Sequence, residues 1–225
     1  MSIKSKAPAA AAAGLILASG LTAAAALPAS ASTTACGTAC VQISNKLYGA
    51  GFVESAFQGI AAAGQPTILH PASTSDPTGD FINPLGGPMK ISALYAAGMV
   101  SAAANAHYGS EFAVQVEYAP DGQGTGLCAA LATTAYQNEG LSLQPCSTPG
   151  TTVFIIDKND SPTTWPGYFP IVAASTTDFT HPYTMTIDGN PADKPFPQIT
   201  VQRMHDNPTD VPDNQLWKAP QGPAN

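Results

Sequence analysis

Apolar and polar residues alternate over several short stretches of the chain, a period that is typical of β-strands with one buried face. We predict strands at residues 66–70, 112–118, 141–144, 152–157, 183–188 and 198–204. The turn sequences DPTGD, NPLGGP, DGQG and NDSP lie between them. Many short strands joined by glycine and proline turns predict an all-β fold, either a barrel or a β-sandwich.

Two alanine-rich stretches, FVESAFQGIAAAG and KISALYAAGMVSAAANAHYG, do not alternate. In the second stretch Ile91, Leu94, Tyr95, Met99 and Val100 fit one face of a helix about as well as they fit a strand. Tertiary contacts decide the structure of such runs. A short helix within residues 88–109 is therefore one of two predictions for this part of the chain.

The N-terminus has the three parts of a secretory signal peptide. Lys4 and Lys6 supply the positive charge, an alanine-rich apolar stretch follows, and Ala29-Ser30-Ala31 supplies the small residues at a cleavage site. Retention as an uncleaved anchor is the alternative, but glycine and proline interrupt the stretch and its apolar side chains are mostly alanines. The composition of this segment is similar to that of signals from actinomycetes. We therefore expect a secreted, extracellular protein.

The net charge narrows the classes of partner. The chain has 8 basic and 15 acidic residues, for a formal charge of −7. Loss of Lys4 and Lys6 with the signal peptide leaves six basic against fifteen acidic residues and a charge of −9. Such a chain repels phosphate backbones and anionic lipid. We expect no nucleic-acid partner and no membrane insertion after signal cleavage.

The four cysteines allow three disulfide pairings in an oxidising compartment. Cys128 and Cys146 enclose a stretch with a turn signal, so a hairpin would bring them together and a disulfide there would stabilise the fold by roughly 3 kcal/mol. Cys36 and Cys40 would then close a small local ring. Crossed pairings and a metal site are the alternatives. We predict no metal site because the four histidines are scattered along the chain.

One stretch resembles a repeat of a ricin-type β-trefoil lectin, in which a glycine turn, a Cys-Leu-Asp strand, a second strand ending in Cys and a Gln-x-Trp element follow one another. It is TGLCAALATTAYQNEGLSLQPCSTPGTTVFIID, with Thr152, Val153 and Phe154 in place of Gln-x-Trp. The resemblance implies a disulfide between the two cysteines of this repeat.

Two further stretches resemble other repeats of the same family. PYTMTIDGN, PQITVQRM and DNQLWKAP form one, whose Gln215-Leu216-Trp217 matches Gln-x-Trp. GFVESAFQGIAAAGQPTILHPASTSDPTGDFI forms the other, with Asp80-Phe81-Ile82 at that element. Corresponding strand positions are spaced more widely than in the family. The resemblance therefore implies a β-trefoil-like fold with an insertion.

The resemblance also implies where a sugar would bind. In such lectins an aspartate two residues after the first cysteine accepts hydrogen bonds from sugar hydroxyls. That position is Ala130 in the middle repeat and lies near Ser55 in the first. The last repeat has Asp188 near the corresponding place and Asn214 close to the end of the sheet. A sugar site is therefore expected only in the last repeat.

Aromatic residues complete the set of candidate ligand-binding positions. Trp165 and Tyr168 lie in TTWPGYFP, whose loop-like sequence suits an exposed binding surface. Trp217 is either a core residue that closes a barrel or a platform for a sugar ring. The predicted ligand-binding residues are Trp165, Tyr168, Asp188, Asn214 and Trp217.

No catalytic motif occurs in the sequence: there is no Gly-x-Ser-x-Gly, His-Glu-x-x-His, phosphate-binding glycine loop or Cys-x-x-Cys. We predict no catalytic residue and no cofactor. The favoured function is non-catalytic binding of a polysaccharide or cell-wall glycan. The alternatives are binding or inhibition of an extracellular protein, and an extracellular hydrolase of unrecognised type.

The predicted domain organisation is simple. A signal peptide (1–31) precedes an N-terminal segment with a cysteine pair (32–40), a single β domain (41–219) and a C-terminal tail (220–225).

Overall fold

The computed structural model describes residues 41–73, 75–160, 167–189, 193–204 and 210–218. Several predictions concern residues outside these ranges: the signal peptide, the Cys36–Cys40 pair, the ligand-binding role of Trp165, and the C-terminal tail. They stay predictions.

The described residues form fifteen short strands and two short α-helices. The strands are β1 (Ser44–Asn45), β2 (Phe52–Ala56), β3 (Thr67–Pro71), β4 (Phe81–Ile82), β5 (Met89–Lys90), β6 (Phe112–Val114), β7 (Glu117–Tyr118), β8 (Leu127–Ala130), β9 (Glu139–Gly140), β10 (Ser142–Pro145), β11 (Phe154–Ile156), β12 (Ile171–Ala173), β13 (Tyr183–Ile187), β14 (Ile199–Arg203) and β15 (Trp217–Lys218). The helices are α1 (Ile91–Ala96) and α2 (Ala102–Tyr108). Every predicted strand overlaps an observed one.

The strands form three repeats, β1–β4, β6–β11 and β12–β15, and the outer strands of each repeat build one barrel. Consecutive repeats are joined by the antiparallel pairs β4–β7, β11–β12 and β15–β1. Within the second repeat β6 pairs with β11. In the first repeat Val41 N donates to Phe81 O at 2.7 Å, and in the third Phe169 N donates to Trp217 O at 2.9 Å. These contacts close the barrel and exclude the β-sandwich alternative.

The inner strands of each repeat form a hairpin: β2–β3, β8–β10 and β13–β14. The three hairpins meet through backbone hydrogen bonds from Thr67 N to Leu141 O at 3.0 Å and from Leu141 N to Ile199 O at 2.8 Å. Each repeat thus contributes equivalent elements about a pseudo-threefold axis. This arrangement confirms the all-β, β-trefoil-like prediction.

Equivalent aromatic residues of the three repeats fill the barrel. Phe81, Phe154 and Trp217 each begin the last strand of a repeat and belong to the same buried cluster. The indole Nε1 of Trp217 donates to Met185 O at 2.7 Å, which satisfies its polar atom inside the core. In the first repeat Phe81, and not Ile82, therefore takes the place of the tryptophan in Gln-x-Trp.

Residues 83–111, between β4 and β6, form an insertion that the other two repeats do not have. It contains β5 and both helices, so the predicted helical stretch within 88–109 is helical in two places. Ser101 Oγ caps α2 by accepting from Ala104 N at 3.0 Å. Neither helix has the length or the apolar character that a membrane crossing requires, and the same holds for every helix among the described residues.

The insertion packs against the outside of the barrel. Ile91 and Leu94 of α1 share a buried cluster with Ile155 and Val172, whose neighbours Phe154 and Ile171 face the barrel core. Both faces of β11 and β12 are therefore buried. This double burial explains why these strands have continuous apolar sequences instead of alternation.

Candidate functional site

The predicted disulfide between Cys128 and Cys146 is present, with the two Cα atoms 4.9 Å apart. It joins the ends of the β8–β10 hairpin, where Cys128 pairs with Gln144. The carbonyl of Cys146 also accepts from Gln115 Nε2 at 2.9 Å. The bond therefore has a structural role in the second repeat, as the sequence indicated.

Backbone register identifies the three positions that correspond to the sugar-binding aspartate. Glu54 N donates to Ile43 O at 2.9 Å, and Ala129 N donates to Val116 O at 2.8 Å. In the third repeat Val172 pairs with Thr184. This pair corresponds to Glu117 and Cys128 of the second repeat, so it fixes the same register. Counting from these pairs, the equivalent positions are Ser55, Ala130 and Thr186.

None of these three residues is acidic, and all three are buried. Ser55 Oγ donates to Val53 O at 3.3 Å. Thr186 Oγ1 donates to Thr184 O at 2.9 Å and accepts from Gln215 Nε2 at 3.2 Å. The carboxylate that holds the sugar in ricin-type lectins is therefore absent from every repeat. The structure corrects the placement of Asp188, which lies two residues beyond the equivalent position.

Asp188 and Asn214 do come close together at the end of β13. Asp188 Oδ1 accepts from Gln202 Nε2 at 2.7 Å, and Asn214 Nδ2 donates to Ile187 O at 3.1 Å. Both side chains are half-buried and hold the third repeat together. Their hydrogen bonds favour a structural role.

Of the predicted aromatic residues the structure describes Trp217 and Tyr168, and neither forms an exposed platform for a ligand. Trp217 is fully buried, so neither face of its ring can stack on a ligand, and its prediction as a ligand-binding residue is corrected. Tyr168 is half-buried and packs against Met204, Val211 and Leu216. The burial of Trp217 supports the other prediction for this residue, that it is a core residue that closes the barrel.

Of the exposed aromatic residues, three each belong to the loop between the inner strands of one repeat. Phe57, Tyr136 and Phe196 have 41%, 56% and 51% of their surfaces exposed. Rotation about the pseudo-threefold axis relates the three loops, so all three lie at the same end of the barrel. We call the described residues of loops 57–66, 131–141 and 188–198 the hairpin-loop end.

Hydrogen bonds fix the backbone at Phe57 and Tyr136, and a ring contact fixes the side chain of Phe196. Phe57 N donates to Pro66 O at 3.0 Å, across the base of its own loop. Glu139 N donates to Tyr136 O at 3.2 Å. The ring of Phe196 stacks on His70 of β3 with centroids 5.0 Å apart. Ordered rings lose little conformational entropy when they bind a ligand.

The acidic residues of the described ranges lie in different environments. Burial raises the pKa of Glu54 to about 8, inside the core. Glu139 is buried and Oε1 accepts from Thr133 N at 3.1 Å. Asp178 is bound by Arg203 at 2.9 Å, and this hydrogen bond lowers the pKa of the exposed Asp178 carboxyl. Within the described ranges no three His, Cys, Asp or Glu residues are placed to hold a metal ion.

Comparison with known proteins identifies similar folds but no family for this chain. No protein-family model matches the sequence, and no curated protein matches it. The designed 3-fold symmetric protein ThreeFoil is similar in structure, with a TM-score of 0.50, 8% identity, and coverage of 80% of this chain and 97% of that chain. At that identity the likeness concerns the fold alone, and it agrees with the β-trefoil-like architecture.

Two natural proteins are also among the similar structures. A mosquitocidal holotoxin has a TM-score of 0.49 and 10% identity, over 80% of this chain and 17% of that chain. The Rhizoctonia solani agglutinin has a TM-score of 0.46 and 14% identity, over 81% of this chain and 95% of that chain.

Proposed function

We propose that the protein is a secreted, non-catalytic binding protein, and that the hairpin-loop end contacts a neutral carbohydrate chain such as a cell-wall polymer. The observation that carries this proposal is the exposure of one aromatic ring in each of three equivalent loops. Exposed apolar surface gathered at one end of a protein is typical of a binding site. Rings on separate loops suit an extended ligand.

The chemistry of the rings and the charge of the chain restrict the ligand. Phe57 and Phe196 offer only apolar faces, and Tyr136 adds one hydroxyl, so they suit the apolar faces of sugar rings more than charged groups. The formal charge of −7 disfavours anionic polymers. The three buried positions without an acid argue for contacts unlike those of ricin-type lectins.

Depletion from solution tests the proposal. The purified protein, with its disulfide formed, is mixed with insoluble chitin, cellulose, xylan or peptidoglycan, and the protein left in solution is measured. We expect retention on at least one polymer. Retention should fall in Phe57→Ala, Tyr136→Ala and Phe196→Ala, and Trp165→Ala in the same series tests the predicted role of that residue.

Tyr95→Ala is the matched control, because Tyr95 is 44% exposed but lies on α1 of the insertion. It should bind as the unmodified protein does. Retention that survives all three loop substitutions would assign binding to another surface. No retention on any polymer would refute the carbohydrate function and favour a protein partner for the apolar loop that contains Phe57 and Ile60.

A further inference from the structure

The insertion and the barrel form an open cleft of about 570 Å³. Residues 98–103 of the insertion form one wall, residues 149–151 before β11 and 174–177 after β12 form the others, and Thr134 reaches in from a hairpin loop. Its volume lies in the range of small-molecule sites. We propose that this cleft is a second binding site, for a small, uncharged, polyhydroxylated molecule of the size of a mono- or disaccharide.

The lining explains the chemical class of the ligand. Six hydroxyl-bearing residues line the cleft, and the remaining lining residues are glycine, proline or apolar; none is charged. The hydroxyl-bearing residues are Ser101, Thr134, Thr151, Ser175, Thr176 and Thr177. A charged ligand would lose hydration without gaining a charged partner. A sugar or polyol can exchange hydrogen bonds with hydroxyls in both directions.

Two of these hydroxyls have no hydrogen-bond partner among the described residues. They are Thr151 Oγ1 and Ser175 Oγ, and both oxygens are shielded from water. Unpaired buried polar atoms are unfavourable and uncommon in native proteins. Both residues are only half-buried and line the cleft, so rotation about χ1 would turn each hydroxyl towards a ligand. Binding would then supply the missing partners.

Two of the other four hydroxyls that line the cleft already take part in hydrogen bonds, and the remaining two belong to the exposed residues Thr134 and Thr177. Ser101 Oγ caps α2, and Thr176 Oγ1 accepts from Tyr183 N at 3.4 Å. The contrast points to Thr151 and Ser175 as the residues that await a ligand. The antiparallel pair Phe154 and Ala173 brings the segments that contain Thr151 and Ser175 to the same cleft.

The walls of the cleft rest on fixed structure. Gly150 N donates to Met99 O at 2.7 Å and ties the loop before β11 to the insertion. Gln115 Nε2 donates to Cys146 O at 2.9 Å and to Thr152 Oγ1 at 2.7 Å, which anchors that loop on both sides. Sites supported in this way are largely formed before the ligand arrives.

Calorimetric titration of the purified protein tests the second site. The probes are glucose, xylose, N-acetylglucosamine and cellobiose, with glucuronate as the charged counterpart of glucose. We expect saturable binding of at least one neutral probe, and at least tenfold weaker binding of glucuronate than of glucose if glucose binds. Ser175→Ala and Thr151→Val should each weaken binding about two- to tenfold, the range of one lost hydrogen bond.

A matched pair of variants on α2 locates the site. Ala103 is exposed and lines the cleft, whereas Ala106 is exposed on the same helix and does not. Ala103→Trp should abolish the titration signal, and Ala106→Trp should leave it unchanged. Absence of saturable binding for every neutral probe, binding that persists in Ala103→Trp, or equal binding of glucuronate and glucose would each overturn the proposal.

This test is independent of the polymer assay. Ala103→Trp should be retained on polymer as before, and Phe57→Ala should titrate as before. Failure of either site then leaves the result for the other site intact.

Discussion

The barrel and the insertion are stabilised in different ways. The barrel core takes an aromatic residue from each repeat, so three similar segments contribute to one cluster. The insertion occurs once and buries its apolar side chains against the outer faces of β11 and β12. The comparison indicates that the repeated part supplies the scaffold, while the part that breaks the symmetry creates the concave surface.

The two proposed binding surfaces follow the same division. The hairpin-loop end is built from all three repeats, with one exposed ring from each loop. The cleft is single and concave, and it requires residues 98–103 of the insertion. Substitutions that damage one region and spare the other can therefore separate the two functions.

The largest effect is expected for Trp217→Ala in the barrel. Removing a fully buried indole from the core leaves a cavity and leaves Met185 O without its donor. We expect the free energy of unfolding to fall by about 3–5 kcal/mol, and both binding activities to be lost together. Denaturant titration measures this loss. A change below about 1 kcal/mol would show that the barrel does not depend on this residue.

A smaller and more local effect is expected for Leu94→Ala in the insertion. Leu94 of α1 is fully buried in the cluster that joins the insertion to the barrel. Truncation of such a residue lowers the free energy of unfolding by about 2–5 kcal/mol when the protein unfolds as one unit. Local opening of the insertion would limit the loss to the lower end of this range. Binding in the cleft should disappear while retention on polymer persists.

Hydrogen exchange measures how local the effect is. The amide of Ala97, which bonds to Ala93 O, should exchange faster in Leu94→Ala, while the amide of Leu141, which bonds to Ile199 O where the inner hairpins meet, should not. Tyr95→Ala, at the exposed neighbouring position, is the control. Equal acceleration at both amides would mean that insertion and barrel unfold as one unit.

The sequence was sufficient to predict the β-trefoil-like architecture of the scaffold. Alternation located six strands, and the cysteine spacing with Gln215-Leu216-Trp217 indicated the β-trefoil-like repeats. It missed several strands, among them β2 and β12. Ile171–Ala173 of β12 is a continuous apolar run, and both faces of this strand are buried. The sequence also placed Asp188 wrongly, because only backbone register shows that Thr186 is the equivalent residue.

The candidate sites were much less predictable. Exposure of Phe57, Tyr136 and Phe196 depends on loop positions that no local pattern encodes, since the same residue types elsewhere fill the core. The cleft combines Ser101, Thr151 and Ser175 from three distant stretches. In the sequence these hydroxyl-bearing residues have no distinguishing pattern, because only the tertiary structure brings them together.

The last expected effect concerns pH and separates the barrel from the insertion once more. Glu54 is buried at the position that Ala129 and Met185 occupy in the other repeats, and burial raises its pKa to about 8 although the Thr67 hydroxyl nearby lowers it. Burial, followed by the charge of Asp160, raises the pKa of Asp157 to about 6. Each acid is thus protonated in the fold at pH values where the unfolded chain has already lost that proton.

The sign of the pH effect follows from this difference. From its ordinary value of 4.5 to about 8, Glu54 binds more protons in the folded state, so stability falls as pH rises and levels off above about 8. The slope from one group is at most about 1.4 kcal/mol per pH unit. Glu54→Met, which copies Met185 of the third repeat, should remove its share of the slope and be the more stable protein at pH 7.

Denaturant titrations between pH 7 and 8 report mainly on Glu54, because Asp157, with its pKa raised to about 6, has lost most of its proton in the fold by pH 7. Leu94→Ala should keep the slope of the unmodified protein, since its change lies in the insertion, whereas Glu54→Met should lose it. If Glu54→Met retained the full slope, the carboxyl would already be charged in the fold at neutral pH. The first repeat would then have to supply a partner for that charge within the core.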